Sequence, residues 1–221
     1  DGIRDRDVTG VQTCALPISE TKVYHYNELP EHGKARARQH YIENWVHDDW
    51  YDYIYEDARE AGRVRGFDID KMFFSGFWSQ GDGACFEGRI GDTKLFLDKH
   101  FTPTDYPTIR KLLDSGGSIT FRCKHSGHYY HENCTSFDVD CDLFTYVLDK
   151  PTDFHEQVVE SLDALLDIEM NDFEKQSVEL FKNHMRTLYR TLEKEYDHLV
   201  SDEAVAETVL ANDLQEVEDD D

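Results

Sequence analysis

Between Phe181 and Leu199 the apolar residues Phe181, Met185, Leu188, Leu192, Tyr196 and Leu199 recur at steps of three or four. That spacing is one stripe of an α-helix, and such a stripe persists in water only when another apolar surface covers it. A second amphipathic run, "TDFHEQVVESLDALLDIEM", precedes it through Phe154, Val158, Leu162, Leu165 and Ile168. The rest of the chain must therefore supply a face for long helices. The middle of the sequence is where that face can come from. "FDIDKMFFSGF", "SITFRCKHS" and "CTSFDVDCDLF" alternate as strands do, and "GACFEGRI" returns after a glycine turn, so a β-hairpin is the simplest local structure there.

Upstream, "KVYHYNEL" reads as a short strand and "LPEHGKARARQHYIENWV" as a helix, with Asn27 as its cap and Pro30 in its first turn. "DDWYDYIYEDAREAG" is a second helix, with Trp50, Ile54 and Ala58 on one face and Gly62 as its stop. "DYPTIRKLLDSGG" is a short helix with Pro107 early. The expected fold is α+β: a small antiparallel sheet packed against N-terminal helices and long C-terminal helices. One domain is expected over residues 20–205, mixed over 20–150 and helical over 151–205, followed by an acidic, disordered tail over 206–221.

Residues 1–19, "DGIRDRDVTGVQTCALPIS", have neither a helical nor a strand period. Back-translated, Val8 to Ile18 resembles a short-read sequencing adapter, so this segment is read as an artefact outside the fold. Cys14 leaves the thiol count with it, and Cys85, Cys123, Cys134 and Cys141 remain. That density is not a disulfide scaffold, and a reducing cytoplasm is the expected compartment. No run has the apolar length of a membrane span. The formal charge is −24, and residues 151–221 carry 21 Asp and Glu against 5 Lys and Arg, a net −16. Such a field repels nucleic-acid backbone and membrane surfaces and suits a basic protein partner. A solvated acidic surface is the plainer meaning of the same charge.

Two segments concentrate chemistry. In "FFSGFWSQGDGACFEG", Gly76, Gly81 and Gly83 permit positive φ or close backbone approach, while Ser79, Gln80 and Asp82 supply polar groups. Phe77 and Trp78 are adjacent, so a regular strand cannot bury both on one side. One of them is expected to rim a groove with Gln80 and Asp82, which makes Trp78, Ser79, Gln80 and Asp82 the candidate binding edge. Met72 and Phe74 are expected on one face of the strand, with Phe73 on the other. Cys85 is a candidate nucleophile with Asp82 or Gln80 as the orienting group, but its base must come from elsewhere, with His128 and His131 as candidates. The plain alternative is a hairpin whose Phe73, Phe77, Trp78 and Phe86 pack against helices. In "CKHSGHYYHENC", Cys123, His125, His128, His131 and Cys134 are ligand types that zinc prefers. Their spacing matches no established zinc pattern, and strand alternation sends some to opposite faces, so no metal or other cofactor is expected.

The segments "ELPEHGKARARQHY", "DDWYDYIYEDA", "FSGFWSQGDGACFEG", "GHYYHENCTSFDVD" and "LEKEYDHLVSDEAVAETVLAN" together resemble a phage and bacterial family often labelled "antitoxin of toxin–antitoxin stability system". The resemblance covers Lys22 to Asn212, and Gly33 departs from it where the first helix motif has Ala. It implies a small cytoplasmic accessory protein of phage or mobile-element origin, and no catalytic residues come with it. The acidic C-terminal third adds the expectation of an antitoxin-like binding protein whose partner, a toxin or a host protein, has a basic surface. A small Cys/His enzyme or metal-binding domain, and an acidic DNA mimic, are the alternatives.

Overall fold

The computed structural model describes residues 23–46, 49–142, 156–212 and 215–217. The expectation for residues 1–19 and the apolar position at Phe154 lie outside these. Where one domain was expected over 20–205, the chain divides into two compact units: 1–45 with 202–221, and 46–201.

The first unit is built from both ends of the chain. Strand β1 (Val23–His25) pairs antiparallel with β6 (Gln215–Val217), and helices α1 (Glu31–Trp45) and α6 (Asp202–Ala211) belong to the same unit. A single 3-10 turn, Tyr26–Glu28, stands between β1 and α1, so Asn27 lies inside that turn rather than capping α1. Tyr26, Leu29, Ala37, Val205 and Val209 form the core of this unit. The Arg38 guanidinium donates to the Tyr26 hydroxyl at 3.0 Å and pairs with Asp202 at 3.0 Å. The residues read as a disordered tail from 206 are instead helical to Ala211, and Gln215–Val217 form a strand. Val205 and Val209, one turn apart, give that acidic stretch an apolar face to bury, which net charge alone conceals.

The second unit is the α+β body. It contains α2 (Asp52–Val64), β2 (Phe67–Phe74), β3 (Ala84–Ile90), α3 (Thr93–His100), α4 (Pro107–Asp114), β4 (Ser118–His125), β5 (Thr135–Asp142) and α5 (Glu156–Leu199). The four strands form an antiparallel sheet in the order β2-β3-β4-β5. The hairpin expected from the glycine turn is β2–β3, with Phe67 opposite Ile90 and Phe74 opposite Ala84. A bulge lies between Ile69 and Lys71. It resets the alternation, so that Phe67 and Ile69 before it and Met72 and Phe74 after it all pack toward the helices, while Phe73 stacks on Tyr130 and His125. Helix α3 carries no strong period in sequence. It starts because the Asp92 carboxylate accepts from Leu95 N–H at 2.9 Å, and it buries Phe96 and Leu97.

Helix α5 joins both amphipathic runs into 44 residues, about 66 Å at 1.5 Å per residue. Its buried stripe is Leu166, Phe173, Ser177, Phe181, Met185, Leu188 and Leu192. The stripe expected through Leu165 and Ile168 is out of phase: both are exposed, because at 100° per residue they lie roughly 160° and 140° round the helix from Phe181. The helix is locked to α4 by Glu169, whose carboxylate accepts from Thr108 N–H at 2.8 Å, Ile109 N–H at 2.9 Å and the Thr108 hydroxyl at 2.7 Å. A carboxylate on the first turn of α4 also meets the positive end of that helix. Among the described residues no helix is long and apolar enough to cross a membrane.

Candidate functional site

The β2–β3 connection closes through Ser75 N–H to Gly83 O at 3.2 Å. Its tip is a turn in which Asp82 N–H donates to Ser79 O at 3.1 Å and the Asp82 carboxylate accepts from Ser79 N–H at 2.7 Å. Gly81 has φ +92°, and a Cβ there would lie 2.6 Å from the Tyr129 ring. Only glycine allows both that backbone and that approach, so the loop sits directly on the "GHYYHEN" segment. Trp78 also takes a left-handed backbone, φ +69°, which is costly for a bulky residue and is held by the turn that follows.

The effect is to stand Trp78 in solvent, 70% exposed, while Phe77 turns inward. The Trp78 ring lies 5.8 Å from Phe77 and 5.9 Å from Tyr196 on α5. Phe77 in turn contacts Tyr196 at 5.2 Å and Tyr189 at 5.6 Å, and Trp50 contacts Tyr196 at 5.6 Å. These rings form a platform with one exposed indole at its edge. Burial, then Glu193 and Asp82, push the Tyr189 hydroxyl above its ordinary range, which places two carboxylates beside the platform.

Next to it, Asp82, Gly83, Ala84, His131, Glu132, Arg186, Tyr189 and Arg190 line a cleft of about 190 Å³. Glu132 accepts from Arg186 Nε at 3.2 Å and lies 3.0 Å from His131 Nδ1, while Arg186 also pairs with Glu179 at 3.0 Å. His131 Nδ1 therefore faces a carboxylate acceptor and, at 3.2 Å, the Asn133 backbone N–H donor at once.

A family model described as a domain of unknown function, DUF8835, matches residues 50–202. The chain belongs to that family. No curated protein and no solved structure matches it. The DUF8835 segment begins at Trp50 of the platform and ends one residue past the second unit, so the platform and the cleft both lie inside it.

Of the residues singled out in sequence, the DUF8835 fold brings Asp82, Gly83 and His131 into one cleft, with Ser79 tied to Asp82 through its backbone N–H, and the others do not line it. Ser79, Gln80 and Trp78 are exposed on the loop. Cys85 is 0% exposed, and burial pushes its thiol up to about 12 despite the hydrogen bond with Thr135. It is closed off from solvent and does not line the cleft, so it is not placed to act as a nucleophile there. His128 is exposed, edge-on to Tyr129 at 5.0 Å. Cys123 is buried in β4 and donates to Phe86 O at 3.5 Å, with its thiol also pushed up to about 12 by burial. His125 lies against Phe73 and Tyr130, and its ring nitrogen contacts Tyr129 O at 3.2 Å. Cys134 ends the 3-10 turn Glu132–Cys134. Cys123, His125, His128, His131 and Cys134 do not converge, and among the described residues no three His, Cys, Asp or Glu are grouped to hold a metal.

Sequence reasoning missed Arg186, Tyr189 and Arg190, and read Tyr196 only as part of the apolar stripe of the helix. A signal was present: Arg186 and Arg190 are four apart, and therefore share a face, in a stretch from Leu180 to Leu192 that holds no Asp or Glu. A thiol-reactive disulfide reagent should modify Cys134 and Cys141 in the native protein well before Cys85 and Cys123, as peptide mapping by mass spectrometry would record. Labelling of Cys85 as fast as that of Cys134 would restore the nucleophile reading.

Proposed function

We propose that this DUF8835 protein is a binding protein, antitoxin-like and of phage or mobile-element origin, that engages a basic protein partner in the cytoplasm. The observation that carries the reading is Trp78, a large apolar ring held in solvent by a strained backbone and a rigid turn. A chain without use for it would turn that indole inward, as it does Phe77. An exposed indole backed by other rings, with polar groups at its rim, has the make-up of an interface anchor. The partner's sign follows from charge: the protein is −24 overall, and Asp82 and Glu193 stand beside the platform.

The test is recovery of partners from host lysate on the wild-type chain and on Trp78→Ala, at low and at moderate salt. A protein captured at low salt, released at moderate salt and then re-expressed should bind the wild type about 30-fold or more tightly than the variant. Recovery of no salt-sensitive protein at either ionic strength sinks the proposal. Stability separates anchor from scaffold. Trp78→Ala should cost less than about 1 kcal/mol, because a mostly exposed ring loses little transfer energy. Phe74→Ala should cost about 2–3 kcal/mol, below the range for fully buried rings, since Phe74 is half-buried among Trp50, Tyr51 and Phe77. If urea titration ranks the two the other way, Trp78 is part of the scaffold.

A further inference from the structure

Helices α2 and α5 are held apart over the sheet. Ala58, Ala61 and Gly62 of α2 face Thr187 and Thr191 of α5, and these small side chains leave a cavity of about 410 Å³. Phe67, Ile69 and Phe86 close its base and are themselves buried, so the open walls are those of the two helices. The Thr187 and Thr191 hydroxyls donate back to their own helix, to Asn183 O at 2.9 Å and Thr187 O at 3.0 Å, so the α5 wall presents mainly methyl groups.

The two ends of the cavity differ in charge. At one end lie Arg65 and His184. The His184 ring rests on Phe67 with centroids 4.9 Å apart, and its nitrogens make no hydrogen bond among the described residues. Arg65 donates from Nη1 to Ala61 O at 3.1 Å and forms no ion pair among the described residues. A guanidinium without a carboxylate beside an unpartnered imidazole is an arrangement made to receive anionic oxygens. At the other end stand Tyr53 and Asp57, with the Tyr53 hydroxyl bonded to Glu195, so an anion is repelled there.

We propose that this cavity binds a small aromatic monocarboxylate, its ring lying between Ala58 and Ala61 of α2 and Thr187 and Thr191 of α5 and its carboxylate turned to Arg65 and His184. The volume is in the range of small-ligand pockets, and an apolar lining with a few convergent polar groups at one end is their usual make-up. The polarity of the ends fixes the ligand's orientation as well as its sign. This site is independent of Trp78 and of any protein partner.

The probe is 2-naphthoate, compared with the uncharged 2-naphthamide and the cationic 2-naphthylmethylamine, titrated into the full chain by calorimetry and by proton NMR of His184. Saturable binding of 2-naphthoate is expected, with a shifted His184 signal and at least tenfold preference over the other two. Arg65→Gln, at an exposed position, should remove about tenfold of the affinity. Ala61→Leu, which fills the cavity, should abolish binding, and Thr191→Leu gives a second filling variant should Ala61→Leu fail to fold. Trp78→Ala should leave 2-naphthoate binding unchanged, so loss of a partner and loss of this ligand are read separately. No saturable binding at millimolar probe, or equal binding of the three probes that Arg65→Gln leaves untouched, overturns the proposal.

Discussion

Replacing Phe181 with Ala is expected to lower the stability of the second unit by about 3–5 kcal/mol, at the top of the range for single core truncations. The position explains the size. Phe181 is fully buried and lies at ring-contact distance from Phe67 at 5.0 Å, Phe86 at 5.7 Å, Phe96 at 6.2 Å, Phe121 at 4.9 Å and Phe137 at 6.4 Å. These five rings come from β2, β3, α3, β4 and β5. One side chain therefore closes the seam between the long helix and the sheet, and truncation leaves a cavity that no single neighbour can fill. Urea unfolding followed by the near-ultraviolet signal of the aromatic cluster reports the change. A loss below about 1.5 kcal/mol would mean that the seam is repacked readily and that α5 is held mainly elsewhere. Phe181→Leu should recover more than half of the loss, because it restores most of the volume.

The same residues show what could be read from the chain and what could not. The stripe from Phe181 to Leu192 and the alternation of four strands suffice for the α+β class, because periodicity is a local property. The phase of the helix before Phe181 was misread, since "SLDALLDI" offers apolar residues on more than one side and only the sheet decides which are covered. The loop was legible as a turn, but the split between Phe77 and Trp78, expected from strand alternation, arises outside the strand: β2 ends at Phe74, and the left-handed backbone at Trp78 stands its ring in solvent. The loop's packing against Tyr129 and His131 was not legible, because nothing local records which segment lies across the sheet edge. The cleft needed Arg186 and Arg190 from a helix some hundred residues away in sequence. Cys85 illustrates the opposite error: residue type suggested chemistry, and burial removes it.

Mild acid should destabilise the second unit before its carboxylates titrate. Burial, then Arg65 and His100, lower the His184 pKa from 6.5 to about 4. Burial also lowers His100, against a hydrogen bond with the Arg65 backbone that raises it and together with the Arg65 charge that lowers it; its ring lies 6.2 Å from His184. Both imidazoles are neutral in the folded chain at pH values where the unfolded chain already protonates them. The unfolded state then binds more protons, so stability rises with pH through that window and falls as pH drops from about 6.5 toward 4. For His184 alone the loss across the window is about 3 kcal/mol, and His100 adds to it in the same direction. Two further charges would also face each other beside the Arg65 guanidinium, which is why neither ring can take up a proton cheaply while packed. Urea midpoints at several pH values should show this slope, and His184→Gln should flatten it by close to one proton. Proton NMR gives the direct reading: a His184 imidazole that titrates near 6.5 in the folded protein would show that the ring is open to solvent, and the acid sensitivity would have to come from the carboxylates instead.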